Sequence, residues 1–241
     1  MWSGPRNIST AMMRAWDARP DTYVCDEPLY AHYLQTTGLD HPGRDEIIAH
    51  HDPDWRRVVA WLTGPIPEGR EVFYQKHMAH HLLPNIERGW LAELTHCFLI
   101  REPREMLTSL LKKYPSAGLA DTGLPQQSEI VRFVQDRAGR TPPILDAREV
   151  LENPRGMLRA LCQRLGLEFD ECMLSWPAGP RPTDGIWAKY WYDAVVRTTS
   201  FQPYKPKNDE LPARHTPLLR ACHEHYDRLY EQRLTVAHES N

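Results

Sequence analysis

No two of the five cysteines (Cys25, Cys97, Cys162, Cys172 and Cys222) stand in a C-x-x-C spacing, and an odd, scattered set excludes a disulfide framework or a cysteine-rich zinc site. Reduced, mostly buried thiols of a cytoplasmic protein fit that pattern. No apolar run approaches the roughly 20 residues needed to cross a bilayer, and no charged-then-apolar leader opens the chain, so a soluble protein that stays inside the cell is expected. Basic charge is not in excess either. With 29 Lys and Arg against 32 Asp and Glu, the net charge of -3 speaks against a general nucleic-acid binder and confines any anion site to a local pocket. Internal repeats and low-complexity segments are missing too. What remains, at 241 residues, is a single α/β domain with a full core over 1–241.

The first ten residues organise the rest. Met1-Trp-Ser-Gly-Pro-Arg-Asn-Ile-Ser-Thr10 gives a short apolar start, a turn at Ser3-Gly4-Pro5, and hydroxyls opening a helix over Ala11 to about Asp17. A strand, loop and helix in this order form an anion cradle, because the N–H groups at a helix N-terminus are unpaired and the macrodipole is positive there. Arg6 adds a charged fork, and Ser9 and Thr10 add hydroxyl donors. The loop is not a Walker A motif: it lacks the second glycine and the lysine. An ordinary turn with a serine cap would leave the same pattern. With only two or three residues before the turn, the first strand is expected to be short of a few upstream residues.

Downstream, strands are expected at Thr22–Cys25, Glu71–Gln75, Thr95–Ile100 and Pro143–Asp146. Helices are expected over 29–36, 44–51, 54–62, 86–94, 106–113 and 128–137, from Asn153 to Gly166, and over 216–233, with 116–125 as a loop. Alternating strands and helices imply a parallel sheet covered on both sides. Strand ends deliver Asp26 and Glu27, then Lys76 and His77, to the edge where such sheets bind ligands. The two acids could hold an amine or hydroxyl of a substrate, or cap the next helix. A histidine there can act as a general base. His77, His80 and His81 lack the further ligands a zinc site needs, so no metal is expected. Arg101 and Ser109, eight positions apart, could converge on one anion. The 177–213 segment, with Trp187, Lys189 and Tyr190, reads as a cover over the site or as core.

Four of these stretches together resemble the sulfotransferase family, P-loop-like three-layer α/β/α enzymes that use 3′-phosphoadenosine 5′-phosphosulfate. Residues 2–10 are similar to its 5′-phosphosulfate loop (PKSGTT or PRSGST), which implies that Gly4, Pro5, Arg6, Asn7, Ile8, Ser9 and Thr10 surround the phosphosulfate and that Arg6 takes part in catalysis. Phe98-Leu-Ile-Arg-Glu-Pro-Arg-Glu-Met-Leu-Thr-Ser109 resembles the 3′-phosphate motif IxRxPxDxxxS, with Arg101 and Ser109 as its ligands. Gln75-Lys-His-Met-Ala-His-His-Leu-Leu-Pro84 resembles KTHLPxHLLP, placing His77 as the base. Residues 146–170 are similar to the family's late EDLxxxP…FLGLPFD element. The opening, through Asp26-Glu-Pro28, also resembles the sulfotransferase-like part of plant branched-chain aminotransferase-like proteins.

Arg6 stands where lysine is usual and Ile8 where glycine is common. The resemblance implies sulfuryl transfer to a hydroxyl or amine of a small-molecule acceptor, with no metal; from their places at strand ends and in the aromatic segment, Asp26, Glu27, Lys76, Trp187 and Lys189 are the candidates to face that acceptor. Phosphoryl transfer from a nucleoside triphosphate on the same scaffold and a non-catalytic nucleotide-binding module are the competing readings.

Overall fold

The computed structural model describes residues 1–206 and 209–236. Its centre is a five-stranded parallel sheet, and the strands are, in chain order, β1 (Trp2–Ser3), β2 (Thr22–Asp26), β3 (Val72–Met78), β4 (Phe98–Ile100) and β5 (Ile144–Asp146). They lie side by side as β2-β3-β1-β4-β5. β1 is short but central, Trp2 pairing with His77 on one side and Phe98 on the other. Met1 continues its ladder: the amino group donates to Gln75 O at 2.8 Å and the carbonyl accepts from His77 N at 2.9 Å.

The helices are α1 (Ser9–Asp17), α2 (Tyr30–Thr37), α3 (Arg44–His50), α4 (Trp55–Leu62), α5 (Pro103–Leu111), α6 (Leu124–Ala138), α7 (Ala147–Glu152), α8 (Pro154–Leu165), α9 (Ala188–Trp191) and α10 (Thr216–Glu231). Side chains on a strand alternate between faces, so Leu99 packs with α1, α7 and α8, while Phe98 and Ile100 pack with α4, α5, α6 and α10. The result is the expected three-layer arrangement. A third apolar cluster joins α2 and α3 to Trp187 and Tyr192 beyond the strand ends.

Local chemistry sets the helix limits. Asn153 caps α8 through Gly156 N at 2.9 Å, and Gly166, at φ 74°, ends it. α5 starts at Pro103 rather than Met106 because the Glu102 carboxylate accepts from Glu105 N at 2.8 Å. α6 starts at Leu124, inside the expected loop, since Gly123 takes the left-handed turn at φ 72° and Pro125 fits the first helical turn. The helix expected over 86–94 is absent. Its apolar residues Ile86, Trp90 and Leu91 are buried, yet the chain makes only a 3-10 turn, Gly89–Glu93. The Arg88 guanidinium occupies the carbonyls of Leu83 and Ile86 that a helix would have used. In the expected cover over 177–213, residues 207–208 lie outside the described residues, as do 237–241 of the single domain.

Buried histidines make the fold acid-sensitive. His96, 6% exposed, accepts from Trp2 Nε1 at 3.0 Å. Burial pushes its pKa down to about 4 against the hydrogen bond to Leu91 O. The unfolded chain binds this proton near 6.5, so the contribution of His96 is complete above that pH and is lost as pH falls towards about 4. The expected loss is about 1.4 kcal/mol per pH unit. Urea unfolding at pH 6.5 and at about pH 5 should show a falling midpoint, with a shallower fall in His96→Asn; an unchanged dependence in that variant would contradict the assignment.

Candidate active site

The loop after β1 is held from three sides. A Cβ on Gly4 would lie 2.2 Å from Thr122 O and 3.3 Å from Asn7 Nδ2, so only glycine passes here. Gln127, fully buried in α6, reaches under the loop: with its amide oriented to satisfy both ends, Oε1 accepts from Gly4 N and Nε2 donates to Leu99 O, each at 3.2 Å. Asn7 Nδ2 donates to the same carbonyl at 3.2 Å.

Arg6 and Ile8 are left-handed, at φ 64° and 57°. For a β-branched residue this costs on the order of 1–2 kcal/mol. Where glycine is common in the resembling family, Ile8 thus keeps the backbone shape that glycine would supply without strain. The N–H groups of Ile8 to Ala11, at the start of α1, have no backbone carbonyl partner, and the Ser9 and Thr10 hydroxyls make no hydrogen bond among the described residues. Pro5 sits half-buried at the turn.

Arg6, Arg101 and Ser109 meet at this loop. Arg6 Nε donates to Ser109 Oγ at 2.9 Å, and Arg101 donates to the Arg6 carbonyl at 2.7 Å. Arg101 is ion-paired with Glu105 at 2.8 Å, but Arg6 has no carboxylate partner among the described residues. Burial, then the neighbouring Arg101 charge, lowers the Arg6 pKa. A half-buried guanidinium beside a second cation, at a helix start whose N–H groups have no acceptor among the described residues, has the chemistry to hold an anion.

A second polar cluster closes the strand ends nearby. Lys76, 1% exposed on β3, donates to Asp26 at 2.8 Å, Glu27 at 2.7 Å and the Tyr192 hydroxyl at 2.6 Å. Tyr192 donates to Asp26 at 2.7 Å, Trp187 Nε1 to Tyr192 at 3.2 Å and Gly185 N to Asp26 at 3.1 Å. Arg14 of α1 pairs with Asp184 at 2.6 Å, both buried. These contacts fasten the 184–192 segment to the sheet edge. Burial works against the Lys76 charge, but Asp26 and Glu27 hold its pKa well above the usual value. Burial pushes the Glu27 carboxyl up, Lys76 opposing and Asp26 adding. Glu27 also has a strained backbone, φ 40°.

Two of the residues expected at the site lie elsewhere. His77 is 2% exposed and stacks on Trp2, ring centres 4.2 Å apart, with Nε2 at 3.2 Å from Gln75 Oε1. It faces away from Lys76, because successive strand residues point to opposite sides. It lines a cavity of about 360 Å³ with Met1, Gln75 and His96, at the edge where the strands begin rather than end. Burial, then the Met1 amino group and His96, keeps its pKa well below the usual range. Lys189 forms an exposed pair with Glu46 at 2.6 Å, outside the buried cluster. Gln127, Thr122 and Tyr192 had no signal in the sequence, since their contacts to the loop or to Lys76 span about a hundred positions or more and belong to no local pattern.

The chain belongs to the sulfotransferase domain family, which it matches over residues 1–231. Branched-chain-amino-acid aminotransferase-like proteins 2 and 1 of Arabidopsis thaliana are each 36% identical to it, over 225 and 221 residues, or 92% and 90% of this chain. The chain spans 39% of the length of these curated relatives. Among solved structures, the sulfotransferase domain from the Synechococcus PCC 7002 olefin synthase superposes with a TM-score of 0.55 at 18% identity, covering 94% of this chain and 92% of that one. The sulfotransferase domain from the curacin biosynthetic pathway gives 0.55 at 14% identity, covering 94% and 95%. Both share the P-loop-like fold.

The Arg6 charge should cost stability and serve binding. Arg6→Met is expected to raise the melting temperature by a few degrees, about 1 kcal/mol, and to abolish any further rise on adding inorganic phosphate. Melting curves with and without phosphate check this; equal phosphate stabilisation of both proteins would remove Arg6 from the anion site.

Proposed function

We propose that the protein transfers a sulfuryl group from 3′-phosphoadenosine 5′-phosphosulfate to a hydroxyl or amine of a small-molecule acceptor. The observation that carries this reading is the Arg6–Ser109–Arg101 contact, which joins the opening loop to the turn after β4 and to α5 in one cationic site, with no carboxylate on Arg6 among the described residues. Such a site fits a nucleotide with phosphate at two positions. The Ile8–Ala11 N–H groups, Arg6, Ser9 and Thr10 would hold the 5′ end, and Arg101 with Ser109 the 3′-phosphate. When bound, the nucleotide supplies a sulfuryl group already activated by a phosphate leaving group.

The chain's own part is positioning and charge. Arg6 and the loop N–H groups oppose the negative charge that builds on the bridging oxygen, worth about 3 kcal/mol for one good donor. The proton leaving the acceptor needs a base on the loop side of the sheet. His77 faces the other way, and Glu27 takes its place in this account: a raised, strained carboxylate at the ligand-binding edge, oriented by Lys76. Asp26 and Asp146, which a magnesium-dependent phosphotransferase would require as ligands, are already taken up by Lys76 and Tyr192 and by the α7 cap with Tyr226. Five free cysteines, four of them buried, suit a reducing compartment such as the cytoplasm.

Calorimetry should show binding of 3′,5′-adenosine bisphosphate that ATP does not displace. Glu27→Gln should keep that affinity and lose turnover by a hundredfold or more. Because burial raises the Glu27 carboxyl, wild-type rate should fall on the acid side at a pH above the ordinary carboxylate range. Tighter binding of ATP than of the bisphosphate would favour phosphoryl transfer. Full turnover in Glu27→Gln would mean that another group takes the proton.

A further inference from the structure

Where the opening loop leaves the sheet, a side chain takes the place of a backbone rung. β1 and β4 run parallel with Trp2 opposite Phe98 and Ser3 opposite Leu99, and Trp2 N donates to Cys97 O at 2.9 Å. A parallel ladder repeats every two residues along a strand, so its next rung would run from Gly4 N to Leu99 O. No hydrogen bond of ordinary length joins these two described residues. The Gln127 amide stands between them, accepting from Gly4 N and donating to Leu99 O, each at 3.2 Å. Asn7 Nδ2 donates to the same carbonyl at 3.2 Å, so both of its lone pairs are taken by side chains.

The inward face of α6 carries Leu124, Gln127, Ile130 and Val131 at helical spacing, with the Gln127 amide as the polar group among them. A buried amide costs free energy unless its hydrogen bonds are made, and a leucine in the same stripe would carry no such cost. Two glycines bring the amide within reach. Gly123, whose carbonyl accepts from Gln127 N at 2.9 Å, lies so close to the loop that a Cβ there would crowd Gly4 Cα and the Ala79 side chain, both at 3.3 Å. Gly4 is closed in by Thr122 O from the same side. The amide therefore bridges the ends of β1 and β4, where the order β2-β3-β1-β4-β5 switches direction and a parallel sheet opens its crevice for ligands.

Resting on the reading of the opening loop as the nucleotide's anion site, we infer that Gln127 is a positioning residue of that site: its amide replaces the next rung of the β1–β4 ladder, keeps the two strand ends apart and so sets the width of the crevice beside Arg6, Arg101 and Ser109. Gln127 touches no ligand and acts through the loop. Without the amide, Gly4 N and Leu99 O either bond to each other, drawing the loop onto β4, or stay buried and unpaired. In both cases Arg6 and the N–H groups after it lose their place relative to Arg101.

The test compares wild type with Gln127→Glu and Gln127→Leu at about pH 5.5 and about pH 8.5, titrating inorganic sulfate by melting temperature and 3′,5′-adenosine bisphosphate by calorimetry. Sulfate keeps its charge across this range. A buried carboxyl stays protonated above its ordinary range, and a protonated glutamate accepts from Gly4 N and donates to Leu99 O as the amide does. Gln127→Glu is therefore expected to bind sulfate within about twofold of wild type at the acid end. At the alkaline end, where the carboxylate repels both the Leu99 carbonyl and the anion, it should bind about tenfold more weakly. Gln127→Leu should be about tenfold weaker at both. Sulfate affinity equal to wild type in Gln127→Leu, or a loss in Gln127→Glu that is the same at both pH values, would overturn the assignment. Should both variants fail to fold, hydrogen exchange of the wild-type Gln127 side-chain amide decides: sulfate should slow it, and an unchanged rate would overturn the assignment. Sulfate binding without bisphosphate binding in wild type would strike at the transferase reading instead, with the part of Gln127 still read from sulfate.

Discussion

Two guanidinium groups brought together by the turns after β1 and β4, one of them without a carboxylate partner among the described residues, set the electrostatics of the opening loop. Arg101 pairs with Glu105 and gives one N–H to the Arg6 carbonyl, while the Arg6 side chain meets, among the described residues, a serine hydroxyl and no carboxylate. Left to itself this arrangement loses free energy, through burial and through repulsion between like charges. It persists because the backbone around it is over-determined. Gln127 and Asn7 tie the loop to the Leu99 carbonyl, Thr122 covers Gly4, and the left-handed Ile8 turns the chain into α1.

The Lys76 cluster does for the ends of β2 and β3 what Gln127 does for the loop. One buried ammonium satisfies two carboxylates and a phenol, and through Tyr192, Trp187 and Gly185 it draws the 184–192 segment across the strand ends. Removing Lys76 or either carboxylate would leave uncompensated buried charge in the cluster that holds the segment. Glu27 sits at the edge of this cluster with 11% of its side chain exposed and its carboxylate held by Lys76.

Much of this was legible from local pattern. The strand–turn–helix opening, the Arg101–Ser109 spacing and the parallel α/β order follow from periodicity and turn chemistry, which act over a few residues. The position of His77 was not legible for a related reason: a motif match puts it on a strand end but does not say which face of the sheet the side chain takes, and here Lys76 meets Asp26 and Glu27 while His77 packs on Trp2. The segment 86–94 misled because its apolar spacing suits a helix, whereas Arg88 claims the carbonyls. Gln127 and Tyr192 depend on contacts between distant parts of the chain, where no local rule operates.

On the proposed reading, the Arg6 charge, unpaired with any carboxylate among the described residues, receives one end of a doubly phosphorylated nucleotide whose other end reaches Arg101 and Ser109. A crystal structure with 3′,5′-adenosine bisphosphate tests it most directly. The account predicts the 5′-phosphate against Arg6 and the Ile8–Ala11 N–H groups, and the 3′-phosphate against Arg101 and Ser109. A nucleotide bound elsewhere, or Arg6 turned away from it, would contradict the account.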